Sequence, residues 1–430
     1  MLQTFSSVDE WLTHLEGIHP AEIELGLARV SKVGAAVGCL RAAPLMILVG
    51  GTNGKGTTSA LIAALLRQRG LRVGVYSSPH ILCYNERVSI DGVDISDADL
   101  CATFARIEAA RGDTTLTYFE FGTLAALIYF QQQGVDACVM EIGLGGRLDA
   151  VNIAAADISV VTSIGLDHQS WLGDTVAEIA YEKCSIARKN CFLVCGQPDA
   201  PDTAATTVEN IGGQFVGRDD KFSARRSDSG VEVRFRDSRG SPQCWALPTP
   251  KIPYPNVATA IQTLALINQL PSYEDVATVV STLAVPGRLQ TFDFGALRLT
   301  LDVAHNPQAA EFIGQQLVQV DGIVLGMLGD KDVEGVLRVL PASKVFHLVS
   351  LTQCHRGLSA QALHARADFA AEIQVQEWDT VEQALNMLIA TNATGHWLIA
   401  GSFYTVEAAQ IWLNAHQADR QMQSSGQGVA

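Results

Sequence analysis

The stretch Val49-Gly50-Gly51-Thr52-Asn53-Gly54-Lys55-Gly56-Thr57-Thr58 joins an apolar run to a helical pattern. The run at 45–49 predicts a buried strand, and apolar residues at helical spacing over 59–69 predict a helix that a glycine ends. A glycine-rich turn in this position lets backbone N–H groups and the helix N-terminus converge on phosphate oxygens. We therefore predict a phosphate-binding loop, in which Lys55 contacts the β- and γ-phosphates and Thr57 or Thr58 offers a hydroxyl to Mg²⁺.

This loop differs from the common phosphate-loop pattern by one inserted residue. That pattern runs from Lys directly into Ser or Thr, whereas Gly56 lies between Lys55 and Thr57 here. The alternative interpretation is an ordinary tight turn between a strand and a helix. A lysine framed by Gly54 and Gly56, with two threonines behind it, favours the phosphate loop.

Composition narrows the class of protein. A chain of 430 residues, 48% hydrophobic and 17% charged, predicts two or more globular domains. Lys and Arg number 30 against 45 Asp and Glu, and the net charge of −15 argues against nucleic acid or an anionic membrane as a partner. Nine cysteines without metal-ligand spacing, no signal-like start and no apolar run of bilayer length predict a cytoplasmic protein with reduced thiols.

Polar residues follow three predicted strands, where ligands bind in open α/β sheets. Ser78 comes after the strand at 72–76 and is interpreted as a Mg²⁺ or phosphate ligand, or as part of a simple turn. Glu141 ends the apolar strand at 137–141, and a buried carboxylate there is a candidate ligand for the Mg²⁺ of MgATP. His168 follows the third strand and is either a metal ligand or a loop histidine. Considered alone, it is better interpreted as a loop histidine.

Two further segments are candidates for substrate contacts. Aromatic residues flank a carboxylate over 116–121, just before an apolar helix, and could cradle a flat heterocycle. Spacing alone favours core packing for these aromatics. Residues 8–40 predict helices that cover the sheet, and within them the stretch 23–27 is the candidate for a substrate contact.

Changes in pattern divide the chain. Residues 199–250 are polar, and the strict alternation over 231–236 predicts a small β subdomain. The segment Pro286-Gly287-Arg288 predicts a hinge, after which strand and helix patterns alternate again. We predict an α/β protein with a phosphate-loop-type doubly wound sheet and its small β subdomain over 1–287, followed by a Rossmann-like α/β domain over 288–430.

Together these motifs resemble those of the Mur ligase superfamily and, within it, the bacterial bifunctional dihydrofolate synthase/folylpolyglutamate synthase family. The inserted Gly56 is the usual form in that family, and the resemblance covers nearly the whole chain. The motifs that carry it, in order, are Gly51–Thr58, Tyr76–His80, Leu116–Glu120, Glu141–Ala150, Leu166–His168, Glu182-Lys183, Pro255-Asn256, Pro286–Arg288 and Asp302–Pro307.

The resemblance implies an ATP-dependent amide ligase. It would add L-glutamate to 7,8-dihydropteroate, giving dihydrofolate, and further glutamates to tetrahydrofolates. A pteroate or folate carboxylate attacks the γ-phosphate of ATP, and the amine of glutamate captures the acyl phosphate. The implied partners are these small molecules alone, for a monomeric enzyme, and the implied cofactors are two Mg²⁺ ions and a monovalent cation.

The resemblance also assigns residues. Metal ligands would be Ser78, Glu141 and His168, with Thr57 close by, and the catalytic residues would be Lys55, Lys183 and His168. Lys183 matches a lysine that is carbamylated in the family, and its carbamate would support the second Mg²⁺. ATP, bound between the domains, would contact Gly54, Lys55, Gly56, Thr57, Asn256, Arg288 and Asp302. Dihydropteroate would contact Leu116, Thr117, Tyr118, Phe119, Glu120, Leu148, Asp149 and Ala150.

Alternatives to the bifunctional ligase remain at this point. One is a folylpolyglutamate synthase without dihydropteroate activity, and another is a non-catalytic nucleotide-binding protein or switch. A peptidoglycan-type Mur ligase would normally carry an N-terminal UDP-binding domain, and the glycine-rich loop begins too early for one. Residues 354–357, Cys-His-Arg-Gly, differ from the Pro- and Arg-rich loop of the family.

Overall fold

The computed structural model describes residues 5–21 and 23–426 of the chain. These residues form two compact units, with the division between residues 283 and 284. Each unit is built on its own sheet, and both sheets are mainly parallel. The predicted α/β class is confirmed.

An eight-stranded sheet organises the first unit, in the order β4-β3-β2-β5-β1-β6-β7-β8. Strands β2, β5, β1, β6, β7 and β8 run parallel, and β3 and β4 complete one edge as antiparallel strands. The central strand β1 is apolar on both faces because helices cover both, as parallel sheets require. The strands are β1 Leu45–Gly50, β2 Val73–Tyr76, β3 Val88–Ile90, β4 Val93–Asp94, β5 Ala137–Glu141, β6 Ile158–Val161, β7 Phe192–Cys195 and β8 Gln214–Gly217.

The helices of this unit begin with side-chain caps at several points. Ser7, Thr117 and Thr175 each form a capping box with a glutamate three residues later, which is worth about 1 kcal/mol per helix. The helices are α1 Val8–Gly17, α2 Ala28–Val37, α3 Lys55–Gln68, α4 Asp97–Arg111, α5 Tyr118–Gln133, α6 Gln169–Leu172, α7 Val176–Cys184, α8 Asp202–Ile211, α9 Tyr254–Leu266 and α10 Tyr273–Thr282, with 3₁₀ turns at Tyr84–Arg87 and Ala150–Ile153.

The small β sheet is narrower than the range of about 199–250 that we predicted. It comprises β9 Ser223–Ser227, β10 Gly230–Arg236 and β11 Pro242–Leu247, which pair as antiparallel neighbours. The first part of the predicted range forms α8 and β8, and β8 is the edge strand of the large sheet. Helix α8 buries Ala204, Thr207 and Val208 and exposes its other face, which accounts for the polar composition of this part of the range.

The second unit has a six-stranded sheet in the order β12-β13-β17-β14-β15-β16. All neighbours are parallel except β12, which pairs antiparallel with β13. This arrangement agrees with the predicted Rossmann-like pattern. The strands are β12 Gln290–Phe294, β13 Leu297–Asp302, β14 Gly322–Leu325, β15 Val345–Val349, β16 Gln374–Trp378 and β17 Gly395–Ala400, and the helices are α11 Pro307–Gln316, α12 Val333–Leu337, α13 Ala360–Ala365, α14 Val381–Ala390 and α15 Phe403–Gly426.

Candidate active site

The glycine-rich loop connects β1 to α3 and is tied to the end of β6. Gly54 caps α3 in the left-handed region with φ of 83°, and Gly51 has φ of 142°. A Cβ on Gly51 would lie 2.0 Å from Thr162 Oγ1, so a larger residue does not fit there. The Thr162 hydroxyl donates to Asn53 O at 2.6 Å, and Asn53 N donates to Ser163 Oγ at 2.9 Å. These bonds hold the loop backbone around the N-terminus of α3, where an anion binds favourably.

Lys55 and Thr57 lie in the first turn of α3. The Lys55 ammonium donates to the carbonyl oxygens of Gly51 and Thr52, at 3.1 and 3.3 Å, so its charge lies inside the loop. Asn256 of α9 reaches the same turn and donates to Thr57 Oγ1 at 2.7 Å. The structure therefore brings together two predicted ATP contacts that are 199 residues apart in sequence.

Glu141 lies at the end of β5, directly beside β1, and only 4% of it is exposed. A Cβ on Gly56 would lie 3.7 Å from Glu141 Oε2, so this carboxylate borders the first turn of α3. Half-buried Ser78 follows β2, the next strand of the sheet. The carboxyl ends of these parallel strands share one edge, so both oxygen donors belong to the edge that carries the loop.

The donor set suits a hard cation. Glu141, Ser78 and Thr57 offer one carboxylate and two hydroxyls, and Mg²⁺ in nucleotide sites typically takes one or two carboxylates together with phosphates and water. Over residues 5–21 and 23–426, no group of three His, Cys, Asp or Glu could hold a metal by itself. These residues therefore fit a Mg²⁺ that substrate phosphates help to bind.

His168 is the most exposed of the four predicted metal ligands, with 40% of its side chain accessible. It lies on the loop after β6, in the left-handed region with φ of 52°, and begins the short helix α6. Its Nε2 is 4.0 Å from Asp167 Oδ1. Because β6 is the other neighbour of β1, this loop belongs to the same edge of the sheet as Glu141 and Ser78.

Lys183 of α7 is buried, with 4% exposure. Burial, with the nearby charge of Lys55 adding to it, lowers the pKa of Lys183 to about 7, although Asp167 and Asp149 act in the opposite direction. A large fraction of this amine is therefore uncharged, and nucleophilic, at neutral pH. Asp167 was not among the predicted site residues, although its position between a strand end and His168 was an available signal.

A close backbone contact sets the position of Lys183. The amide of Arg147 donates to Glu182 O at 2.9 Å, and the Arg147 guanidinium pairs with the Glu182 carboxylate at 2.8 Å. At Gly146 a Cβ would lie 2.7 Å from Glu182 O and 3.1 Å from the Cα of Lys183. The loop over 143–149 can approach α7 this closely only because glycine occupies this position.

Substituting Gly146 with alanine should therefore disturb both stability and activity. We expect Gly146→Ala to lower the free energy of unfolding by about 1–3 kcal/mol, because the added methyl group forces the loop and α7 apart. The rate of ATP turnover should fall as well, since Lys183 moves with α7. Urea unfolding and steady-state kinetics measure the two effects. Gly17→Ala is the matched control, because a Cβ there meets nothing within 4 Å. Equal stability and activity for the two variants would contradict this account.

The aromatic segment at the start of α5 combines buried side chains with half-buried rings. Leu116 is fully buried, whereas Tyr118 and Phe119 are half-buried. The Phe119 ring lies against Gly143, where a Cβ would be 2.5 Å from Phe119 Cζ. Tyr118 packs edge-on against Tyr84 at 5.3 Å between ring centroids. Phe119 thus borders the loop that follows β5, where a flat ligand could stack.

Thr117 and Glu120 have structural roles in the same segment. The Glu120 carboxylate, 3% exposed, accepts from Thr117 N at 2.7 Å as part of the capping box. The guanidinium of Arg29 donates to the other carboxylate oxygen of Glu120 at 3.1 Å. Arg29 was not among the predicted site residues, because nothing in its local sequence indicates a partner 91 residues away.

The predicted dihydropteroate residues 148–150 form the end of the loop after β5. The Asp149 carboxylate accepts from Leu144 N at 2.8 Å and Val151 N at 2.9 Å, and burial raises its pKa to about 6 in spite of these bonds. Asp149 therefore shapes the loop itself. Leu148 is half-buried, and its carbonyl accepts from Gly26 N at 3.1 Å, which attaches the segment 23–27 to this loop. Ala150 is buried in the 3₁₀ turn that follows.

Two predicted ATP contacts belong to the second unit. Asp302 ends β13, is 7% exposed, and accepts from Leu289 N and Ala304 N at 2.9 Å each. Burial raises the pKa of Asp302, and the nearby Arg288 guanidinium opposes that shift. The Arg288 guanidinium lies over the Phe403 ring at 5.2 Å. These contacts order both charged side chains at the carboxyl end of β13.

Two domains of the Mur ligase class match this chain. The model of the Mur ligase middle domain matches residues 49–195, and that of the Mur ligase glutamate ligase domain matches residues 287–403. Dihydrofolate synthase/folylpolyglutamate synthase of Escherichia coli is 38% identical over 422 residues, covering 97% of this chain and 98% of its own. The chain belongs to the dihydrofolate synthase/folylpolyglutamate synthase family of ATP-dependent ligases.

Solved structures agree with this assignment. E. coli FolC in complex with DHPP and ADP is 36% identical, with a TM-score of 0.88 over 97% of this chain and 100% of that one. The Yersinia pestis bifunctional folylpolyglutamate synthase/dihydrofolate synthase, complexed with AMPPNP and a Mn ion, is 38% identical, with a TM-score of 0.87 over 96% and 100% of the two chains. In the described part of the present chain, no helix has both the length and the apolar character needed to cross a bilayer.

Proposed function

We propose that this enzyme joins L-glutamate to 7,8-dihydropteroate, giving dihydrofolate, and adds further glutamates to tetrahydrofolates. The observation that carries the proposal is the meeting of three features at one edge of the large sheet. These are the glycine-rich loop with Lys55, the buried carboxylate of Glu141, and the buried amine of Lys183. Together they provide a site for phosphates, a ligand for a divalent cation, and a lysine of unusual reactivity.

The reaction that fits this site has two steps. A carboxylate oxygen of the pteroate or folate attacks the γ-phosphorus of ATP, the bond to the bridging oxygen breaks, and ADP leaves. The amine of glutamate then attacks the acyl carbon, phosphate leaves, a proton is released, and an amide remains. Such phosphoryl transfer depends mainly on positioning and on neutralising charge. The loop amides and Lys55 would do both, because their donors converge on the place where the phosphates bind.

The divalent cations are assigned to residues of the same edge. Glu141, Ser78 and His168 would hold Mg²⁺, with Thr57 close to it, and the metal would neutralise developing charge on the phosphate oxygens. Thr57 is already oriented by Asn256, so its hydroxyl has a defined direction. Asn256 and the loop residues Gly54, Lys55, Gly56 and Thr57 would contact ATP.

Lys183 is assigned a carbamate. An uncharged amine attacks CO₂ and loses a proton, so a buried lysine with a pKa of about 7 is well suited to this modification. The product is an anion, and the ammonium group of Lys55 together with a second Mg²⁺ would balance its charge. The charges of Asp167 and Asp149 oppose, without reversing, the lowering of the pKa of Lys183 that burial causes.

The acid substrate is assigned to the surface formed by residues 116–120 and 148–150. The half-buried ring of Phe119 would stack on the heterocycle, and Leu148 would border it. The ordered cap at Thr117 and Glu120 and the shaped turn at Asp149 would keep these contacts rigid.

We further propose that the enzyme acts as a monomer, which size-exclusion chromatography with light scattering would test.

The function is tested with the purified protein, MgATP, L-glutamate and one acid substrate at a time. We expect glutamate-dependent release of ADP with dihydropteroate and also with a tetrahydrofolate, and mass spectrometry should detect the new amide. Release with tetrahydrofolate alone would indicate a folylpolyglutamate synthase without dihydrofolate synthase activity. Slow ATP hydrolysis that neither acid alters would indicate a nucleotide-binding protein instead. Omitting glutamate is the internal control for amide formation.

A further inference from the structure

The connection between α1 and α2 carries a charged network centred on Arg29. The guanidinium of Arg29 pairs with the Glu24 carboxylate and donates to the Glu24 carbonyl at 3.1 Å. Its Nη2 also donates to Glu120 Oε1 at 3.1 Å. One side chain at the start of α2 therefore joins the preceding connection to the start of α5.

The contact with Glu120 is largely shielded from water. Glu120 is 3% exposed and the side chain of Arg29 is 22% exposed. One oxygen of Glu120 serves the capping box, and Arg29 occupies the other, so the buried carboxylate is satisfied on both sides. Removing Arg29 would leave a buried charge without its counter-ion, which is far more costly than losing an exposed ion pair.

Arg29 is also linked to the loop after β5. Gly26 lies between Glu24 and Arg29 in sequence, and its amide donates to Leu148 O at 3.1 Å. Fixing Glu24 and Arg29 therefore fixes the backbone that holds Leu148. The segments 23–27, 116–120 and 148–150 are thus connected through one guanidinium and one backbone hydrogen bond.

His19 orients the other end of the network. It is 8% exposed, and its Nε2 lies 3.2 Å from Glu24 Oε2. Its Nδ1 lies 3.1 Å from Ala21 O and 3.2 Å from Ala21 N. Glu24, itself half-exposed, is therefore held from two sides, and this restricts the positions that Arg29 can adopt.

We propose that Arg29 is a positioning residue that sets the affinity of the enzyme for its pteroate substrate. The inference rests on the proposed function, since two of the three segments that Arg29 joins, 116–120 and 148–150, are those assigned to dihydropteroate. Arg29 acts through Glu120 and Gly26 and not by touching the reacting atoms. Its loss should therefore weaken binding of the acid substrate and leave the binding of ATP and the phosphoryl-transfer groups nearly unchanged.

The test compares Arg29→Ala and Arg29→Lys with the wild type and with Lys32→Ala. Lys32 is the matched control, because it lies on the same helix, is exposed, and donates to Thr114 Oγ1 at 3.1 Å. We expect Arg29→Ala to raise KM for dihydropteroate about tenfold or more, with kcat and the KM for ATP changed by less than about threefold. Arg29→Lys, which keeps the charge but not the fork of donors, should lie between wild type and Arg29→Ala.

Direct binding separates this inference from the proposed function. Fluorescence titration with dihydropteroate gives a Kd without catalysis, and thermal unfolding checks that each variant is folded. A Kd for Arg29→Ala equal to that of the wild type would overturn the inference, whatever the turnover. Equal losses in kcat, in dihydropteroate affinity and in ATP affinity would also overturn it, because they indicate a general structural role.

The same measurements distinguish failure of the proposed function from failure of the inference. If the wild type binds dihydropteroate but never ligates glutamate to it, the proposed function is refuted. A weakened Kd for both Arg29 variants still supports the inference in that case. If Arg29→Ala does not fold, the Kd of Arg29→Lys decides.

Discussion

Lys55→Ala should lower kcat for glutamate-dependent ADP release by about 10³-fold or more. The Lys55 ammonium lies inside the glycine-rich loop, against the carbonyls of Gly51 and Thr52, where the β- and γ-phosphates are proposed to bind. Without this cation, charge that moves onto the phosphate oxygens in the transition state is poorly neutralised. Steady-state kinetics at saturating MgATP, with dihydropteroate as the acid, measures the effect.

The matched control for this variant is Arg67→Ala. Arg67 lies on the same helix, α3, but is exposed at its other end and donates to Asp91 O at 2.8 Å. It should retain nearly full activity, which would exclude a general effect of removing a cation from α3. A kcat near that of the wild type for Lys55→Ala, in a protein with an unchanged Tm, would refute the assignment of the loop.

Lys183→Ala should be almost inactive, with a loss in kcat of a similar order, about 10³-fold. The side chain of Lys183 is buried close to Lys55, Asp167 and Asp149, so its removal takes away the proposed anion beside the phosphates. A short carboxylate such as acetate or formate should partly restore activity to Lys183→Ala, because it can occupy the place of the carbamate. In the wild type, activity should depend on dissolved CO₂, since the carbamate forms from it.

Mass spectrometry under native conditions tests the modification directly. The wild type should show the mass of one added CO₂, localised to Lys183, and Lys183→Ala should not. Lys189→Ala is the control, since Lys189 is exposed and follows the same helix. An unmodified Lys183 in fully active enzyme, together with no rescue by carboxylates, would rule out the carbamate.

The glycine-rich loop is the part of the candidate site whose local structure could be predicted best from sequence. Its strand, its glycines and its helix are contiguous, and each has a local signal. Glu141 was also predictable, because a carboxylate that closes an apolar strand needs a partner or a metal. The structure places both at the same edge of the sheet, since β1 and β5 are neighbours.

Other features could not be predicted because they depend on distant residues. The aromatic residues over 116–121 were consistent with two roles, core packing and contact with a flat ligand. The structure shows buried Leu116 beside half-buried Tyr118 and Phe119. The local sequence around Glu120 does not indicate its ion pair with Arg29, because Arg29 lies on another helix. The extent of the small β sheet was overestimated, since the polar residues over 202–211 come from the exposed face of α8 and not from a sheet.

The sequence by itself determined the alternation of strands and helices, the glycine-rich loop between β1 and α3, and the family of ligases, because periodicity, turns and motifs are properties of neighbouring residues. The tertiary structure alone decided which charges are buried and what they touch. The lowered pKa of Lys183 and the connection of three segments through Arg29 arise only when helices and loops far apart in sequence exclude water from the same place.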